Sequence, residues 1–204
     1  MLSLQLLSFF IDDRSIFTNI SMSFLPSAII SLKGRNGSGK TSFLRMLAGI
    51  QTPSSGSITF GKESLPISYL KKPYCTYIGH QLAIKLDLSV LDNILFWAKL
   101  YDSELLISAA LTYFQLQEVA YTKCYELSAG NQKKVALARL LCCSSKLWLL
   151  DEVDTNLDSD NKEILLKLIL AHTNNSGMVF FASHNDLNIK SAQIINLDDY
   201  KDLL

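Results

Sequence analysis

The sequence lacks the features that mark membrane-spanning, exported or disulfide-bonded proteins. Its four cysteines show no C-x-x-C spacing and no nearby pair of histidines, so we expect neither a zinc site nor a disulfide framework. Reduced thiols of this kind are typical of the cytosol. No apolar stretch reaches the roughly eighteen residues that a membrane helix needs. The best candidate, residues 135–150, contains Arg139 and Lys146. The start, Met1-Leu2-Ser3-Leu4-Gln5, has no basic region and predicts no export signal.

The sequence also lacks an excess of charge of either sign. Nineteen basic and nineteen acidic residues cancel, and we therefore expect no nucleic-acid partner, since such partners attract a basic surface. Hydrophobic residues are abundant, at 49%, and the mean hydropathy is +0.20. Two interpretations stay open: an apolar surface is covered by a partner, or the genome favours codons for Ile, Leu and Phe. The length predicts a single domain, residues 1–204.

The most informative stretch is Gly34-Arg35-Asn36-Gly37-Ser38-Gly39-Lys40-Thr41, a complete phosphate loop of the form G-x-x-x-x-G-K-[ST]. Its glycines let the backbone curl so that N–H groups converge on anionic oxygens at a helix N-terminus. Lys40 would contact the β- and γ-phosphates, and the Thr41 hydroxyl would bind Mg²⁺. An ordinary glycine turn is the alternative. The apolar strand before the loop and the amphipathic helix after it favour the phosphate site.

The pattern of apolar residues places this loop in a mixed α/β domain. Residues 2–10 and 15–25 alternate and predict an antiparallel hairpin. Residues 84–143 are predicted to be a helical insertion into a core formed by residues 1–83 and 144–204. The other predicted helix is amphipathic and spans 163–170. Strands are predicted at 28–33, 74–78, 147–150 and 178–182. Some of these strands are continuously apolar, as is typical of buried parallel sheets.

Polar residues follow three of these strands, at the edge where α/β proteins place functional loops. Asp151 would supply a carboxylate to Mg²⁺, and Glu152 is placed to polarise an attacking water. Gln81 follows the strand at 74–78, and His184 follows the strand at 178–182. Each has a structural alternative, since acidic pairs cap helices, glutamines lie in solvated loops and a histidine can begin a short helix.

These residues, with Leu127-Ser128-Ala129-Gly130 ahead of the strand at 147–150, resemble the motifs of ATP-binding cassette (ABC) ATPases. The resemblance covers essentially the whole chain, in the family's order. It implies the P-loop NTPase fold of ABC ATPases, an α/β RecA-like core with an N-terminal antiparallel β region and an inserted helical subdomain. It also implies ATP and Mg²⁺ as ligands and a head-to-tail homodimer that sandwiches two ATP molecules.

The resemblance implies a role for each site residue. Glu152 would be the general base, and the phosphate-loop residues, Gly34, Arg35, Asn36, Gly37, Ser38, Gly39, Lys40 and Thr41, would bind ATP. Ser128, Ala129 and Gly130 would bind the γ-phosphate held by the opposite subunit, and His184 would contact the γ-phosphate in its own subunit. Thr41, Asp151 and Gln81 would bind magnesium, and Gln81 would also sense the attacking water and couple to a membrane subunit. Asp158 would be the D-loop aspartate. Phe9 or Phe10, at the hairpin, could stack on adenine or fill the core, and Phe10 is the candidate. The chain departs from the family pattern at Val153, usually proline, and at Asn131, commonly glutamine.

Three stretches narrow the resemblance further. Tyr77-Ile78-Gly79-His80-Gln81, the run from Leu127 to Leu140, and Leu147-Trp148-Leu149-Leu150-Asp151-Glu152 resemble the ATP-binding subunits of the haem exporters used in bacterial cytochrome c biogenesis. The implied partners are polytopic membrane subunits and, indirectly, haem and a haem chaperone, with the chain peripheral on the cytoplasmic face of the inner membrane. An ATP-binding subunit of another small ABC system, or a soluble ABC ATPase, is the alternative. His80, beside Gln81, is predicted to contact a partner subunit in preference to binding haem.

Overall fold

The first sheet is antiparallel and begins at the N-terminus. The computed structural model describes residues 1–64, 74–155, 157–183, 187 and 189–201. Strands β1 (Leu2–Ile11) and β2 (Arg14–Phe24) form the predicted hairpin, and both turn residues, Asp12 and Asp13, have positive φ, as a tight hairpin turn requires. This sheet has the order β2-β1-β4-β5, and its other two strands are β4 (Ser55–Phe60) and β5 (Glu63–Ser64).

The second sheet is parallel and supplies the framework for the site. Its strand order is β6-β7-β8-β3-β9. Parallel strands all end at the same edge, so the loops that follow them lie side by side. The bounds are β3 (Ile29–Lys33), β6 (Cys75–Ile78), β7 (Leu147–Asp151), β8 (Met178–Ala182) and β9 (Gln193–Asn196).

The helices surround the parallel sheet. The predicted helical insertion contains α2 (Val90–Leu100), α3 (Ile107–Tyr113) and α4 (Ala129–Cys142), all between β6 and β7. Helix α1 (Lys40–Leu47) follows the phosphate loop. None of the helices in the described ranges is long and apolar enough to cross a membrane.

Both faces of the parallel sheet are buried, which explains why its strands are continuously apolar. Successive side chains of a strand point to opposite faces. On β7, Leu147 and Leu149 pack in a cluster with the antiparallel sheet and α1, while Trp148 and Leu150 pack in a second cluster with the helical insertion. The alternation that marks a half-exposed strand is therefore absent from β7.

The last long helix, α5 (Ser159–Asn174), starts earlier than the predicted 163–170. Asp158 caps it, since the carboxylate Oδ1 accepts a hydrogen bond from the backbone N–H of Asn161 at 2.9 Å. The first turn is polar, so an apolar pattern does not reveal it. The predicted inward side chains Leu165 and Leu168 are buried, and Ile164 is partly buried.

Candidate active site

The phosphate loop joins the end of β3 to the start of α1. Gly34, Gly37 and Gly39 have φ of 138°, 77° and 94°, in a region that favours glycine. At Gly39 glycine is also required by space, because a Cβ atom would lie 2.6 Å from the side chain of Ile16 on β2. The hairpin therefore supports the loop from one side.

Lys40 lies across the loop that precedes it. Its Nζ donates hydrogen bonds to the carbonyl oxygens of Gly34 at 2.7 Å and Arg35 at 3.1 Å. The ammonium is thus held over the curled backbone, where it can exchange these acceptors for phosphate oxygens. Ser38 is fully buried, and its Oγ has no hydrogen-bond partner among the described residues.

A cleft of about 390 Å³ opens in front of this loop. Loop N–H groups and an ammonium on one side, and a carboxylate on the other, suit a phosphorylated ligand with its cation. Ile11 and Ile16 add apolar surface that the sequence did not single out. Phe9 is buried in the core against Phe17, whereas Phe10 is exposed and does not line the cleft as described. The described lining residues are Ile11, Ile16, Asn36, Gly37, Ser38, Gly39, Lys40, Thr41, Ser42 and Glu152.

Asp151 ends β7 as a buried carboxylate, only 2% exposed. Its Oδ2 accepts a hydrogen bond from the Tyr77 hydroxyl on the neighbouring strand β6, at 3.2 Å. Burial, and then the negative charge of Asp151, raise the pKa of Tyr77, so the phenol stays protonated and donates. Sequence reasoning assigned Tyr77 no role of its own, because only the pairing of β6 with β7 brings it to Asp151.

Glu152 follows in a conformation that is rare outside glycine, with φ of 54°. Such a backbone costs about 1–3 kcal/mol and is held by its surroundings. Its N–H donates to the carbonyl oxygen of Ala182 at the end of β8, at 2.8 Å. The side chain lines the cleft, with Oε2 3.9 Å from His80 Nδ1. The sheet therefore brings Glu152 and the phosphate loop to one cleft.

The remaining predicted site residues, Gln81, Asp158 and His184, follow β6, β7 and β8 in the sequence. Gln81 follows β6 and is exposed. His184 lies outside the described residues, although β8 and Ser183 lead directly to it. Asp158 caps the N-terminus of α5. No group of three or more His, Cys, Asp or Glu side chains close enough to hold a metal exists among the residues with described positions.

Ser128, Ala129 and Gly130 lie at the N-terminus of α4. The Ser128 hydroxyl caps this helix by accepting a hydrogen bond from the Asn131 N–H at 3.2 Å. The Gln132 side chain fixes the preceding turn by donating to the carbonyl oxygen of Cys124 at 2.9 Å. Ser128 and Ala129 are exposed, and the described lining of the cleft does not include the three residues.

The end of the parallel sheet also contacts the phosphate loop. Asp198, in a 3₁₀ turn at Leu197–Tyr200, accepts a hydrogen bond from the Arg35 backbone N–H at 2.8 Å. This hydrogen bond is the main reason why the pKa of Asp198 is lowered. The Arg35 guanidinium Nε lies 3.5 Å from the same carboxylate. No sequence motif pointed to Asp198.

Comparison with known proteins places this architecture in a family. Residues 17–155 match the ABC transporter family. The chain is 50% identical over 197 residues to a "Cytochrome c biogenesis ATP-binding export protein CcmA" of Rickettsia felis, covering 97% of this chain and 100% of the relative. An ABC transporter ATP-binding protein of Pyrococcus furiosus superposes with a TM-score of 0.84 at 25% identity, covering 98% of both chains. A dimeric ATP-binding cassette bound to ADP and Pi superposes with a TM-score of 0.80 at 20% identity, covering 96% of this chain and 94% of the other.

Proposed function

Since the chain belongs to the ABC transporter family, and within it to the CcmA group of cytochrome c biogenesis ATP-binding export proteins, we propose that it is the ATP-hydrolysing subunit of a haem-export complex. Its ATP cycle would export haem, or release a haem chaperone, during cytochrome c-type biogenesis. The observation that carries this proposal is the near-complete alignment with relatives of that name. The polytopic membrane subunits would hold the chain on the cytoplasmic face of the inner membrane.

The phosphate loop supports the ATP-binding part of this proposal. Lys40 would transfer its hydrogen bonds from the carbonyl oxygens of Gly34 and Arg35 to the β- and γ-phosphates. The loop N–H groups would bind the remaining oxygens, as at other helix N-termini. We propose contacts from all eight residues of the motif and an adenine contact from Phe10, the exposed ring of β1.

Thr41, Asp151 and Gln81 would hold a magnesium ion, because each side chain offers an oxygen ligand of the kind that this hard cation prefers. When bound, Mg²⁺ would neutralise charge on the phosphates. A single carboxylate suffices for such a site, because Mg²⁺ keeps waters and substrate phosphates as its other ligands. Tyr77 orients the carboxylate of Asp151 through its hydroxyl.

Glu152 would act as the general base for hydrolysis. Its carboxylate lines the cleft beside the phosphate loop and would accept a proton from the attacking water. We propose that His184 contacts the γ-phosphate, that Gln81 also senses the water and couples to the membrane subunits, and that Asp158 is the D-loop aspartate. Residues 84–143 would move as the helical subdomain against a core of residues 1–83 and 144–204.

The second side of the ATP site would come from another copy of the chain. Ser128, Ala129 and Gly130 present an exposed helix N-terminus that is not part of the described cleft of their own chain. A serine hydroxyl and free N–H groups at such an end can hold a γ-phosphate. We propose a head-to-tail homodimer closed by two ATP molecules, which opens when hydrolysis removes these contacts.

Affinity capture tests the proposed function. Tagged Glu152→Gln protein, which should bind MgATP without turnover, is captured from detergent-solubilised membranes with MgATP. Its partners are then identified by mass spectrometry and haem by absorbance. Membrane subunits of cytochrome c maturation should be recovered. Lys40→Ala is the matched control, since it should not form the nucleotide-closed complex. Recovery of an unrelated permease alone would refute the haem assignment and leave the ATPase assignment intact.

A further inference from the structure

A buried polar network lies behind Glu152 and connects it to helix α4. Lys133, in the second turn of α4, is only 4% exposed. Its Nζ donates to the Glu152 carbonyl oxygen at 3.2 Å and to the Thr155 hydroxyl at 3.3 Å. The Thr155 hydroxyl donates in turn to the same carbonyl oxygen at 2.7 Å. Two side chains therefore converge on the backbone of the residue whose φ is strained.

Asp154, two residues after Glu152, contacts the end of β8. It is 1% exposed, and its Oδ2 accepts a hydrogen bond from the Ser183 hydroxyl at 2.7 Å. Its Oδ1 is buried without a hydrogen-bond partner among the described residues. A buried carboxylate is costly unless a cation or donor compensates it. Burial lowers the pKa of Lys133, and the nearby negative charges, that of Asp154 first, counteract this. The charge of Asp154 thus favours the protonated form of Lys133.

We propose that Lys133 is a positioning residue that holds Glu152 in its catalytic conformation and ties it to the helix carrying Ser128. The proposal rests on the proposed role of Glu152 as general base. The carbonyl of Glu152 belongs to a left-handed residue, which is unfavourable by itself and needs outside contacts to persist. Lys133 provides such a contact from a different element. A shift of α4 would therefore displace the backbone that carries the catalytic carboxylate.

The first test is Lys133→Met in the purified full chain, at concentrations that favour the dimer. The substitution keeps the apolar stem and removes the ammonium. We expect kcat for ATP to fall about 10- to 100-fold, as for a catalytic group displaced by about 1 Å. KM should stay within about twofold, because the phosphate loop is unchanged. Lys133→Arg, which keeps the charge and the donors, should restore most of kcat. A merely structural role would not separate kcat from KM in this way.

One control variant and one second test variant accompany Lys133→Met. Lys167→Met removes an exposed lysine paired with Glu163 at 2.8 Å, and should leave kcat at the parent value. Thr155→Val removes the other donor to the Glu152 carbonyl with almost no change in shape, and should lower kcat in the same way. It decides the question if Lys133→Met does not fold, as judged by circular dichroism.

The link between Lys133 and Asp154 is tested by a double-mutant cycle. Asp154→Asn should lower kcat by itself, because it removes the negative charge that attracts the Lys133 ammonium. Combined with Lys133→Met, it should lower kcat less than the product of the two single effects. Multiplicative effects would contradict the link.

Glu152→Gln, run in the same assay, separates the two proposals. Suppose that Glu152→Gln is inactive, while Lys133→Met and Thr155→Val both keep the parent kcat. That result would overturn the positioning role and leave the general-base role intact. A Glu152→Gln protein that turns over at the parent rate would overturn the general-base role itself.

Discussion

Lowering the pH should destabilise the protein through one partly buried histidine, His172. The His172 ring stacks on Trp148 with centroids 3.7 Å apart and planes 6° from parallel. Burial lowers the pKa of His172 from 6.5 to about 4. Nε2 is buried with no acceptor among the described residues, so a second proton there would have no partner. The folded state therefore favours the neutral ring.

The direction and size of the effect follow from this pKa. Between pH 6.5 and about 4 the unfolded chain binds a proton at His172 and the folded chain does not, so stability falls as the pH falls through this window. Full linkage gives a loss of about 2 kcal/mol between pH 7 and pH 5. The ring is only partly buried, and solvent screening lowers the expected loss to about 1 kcal/mol.

Urea unfolding at pH 7 and pH 5 measures this loss. Other groups also titrate, so the parent is compared with His172→Phe, which keeps a stacked ring and cannot bind a proton. The loss on acidification should be smaller in the variant by about 1 kcal/mol. Equal losses in the parent and the variant would show that His172 is not the group responsible.

Further predictions concern the nucleotide site and the packing around the histidine. Lys40→Ala should weaken ATP binding about 10- to 100-fold in calorimetric titration, because a charge-assisted contact is lost; unchanged affinity would contradict the phosphate contact. Asn131→Gln should leave the ATPase rate within a few-fold, because both residues keep an amide at the start of α4, and a large gain would mean that Asn131 impairs the native site. Gly177→Ala should lower the free energy of unfolding by about 1–3 kcal/mol in urea, because the new Cβ would overlap the His172 ring, and an unchanged midpoint would refute the close contact.

The parts of the site that could be predicted are those whose residues are adjacent in the sequence. The phosphate loop is a local device, in which three glycines, Lys40 and Thr41 act within eight positions. Asp151 and Glu152 were recognisable because they follow a continuously apolar strand. The sheet places them together because parallel strands end at one edge. Their proposed catalytic roles stay predictions.

The parts that could not be predicted depend on contacts between distant segments. Tyr77 reaches Asp151 only through strand pairing, and Asp198 reaches Arg35 only after the chain returns to β3 through β9. Lys133 appears in the sequence as one more lysine near the start of a helix, where exposure is the ordinary expectation. In the fold its ammonium instead contacts Glu152 and Thr155 in the loop after β7.

The position of β3 in the middle of the parallel sheet has a consequence for how the protein is made. Its two neighbours are β8 and β9, and Ile29 lies opposite Val179, 150 residues later. The N-terminal hairpin can form as soon as it leaves the ribosome, whereas β3 must wait for most of the chain to be synthesised. Until then the phosphate loop has no completed sheet behind it. ATP binding by a nascent chain would therefore report that the parallel sheet is complete.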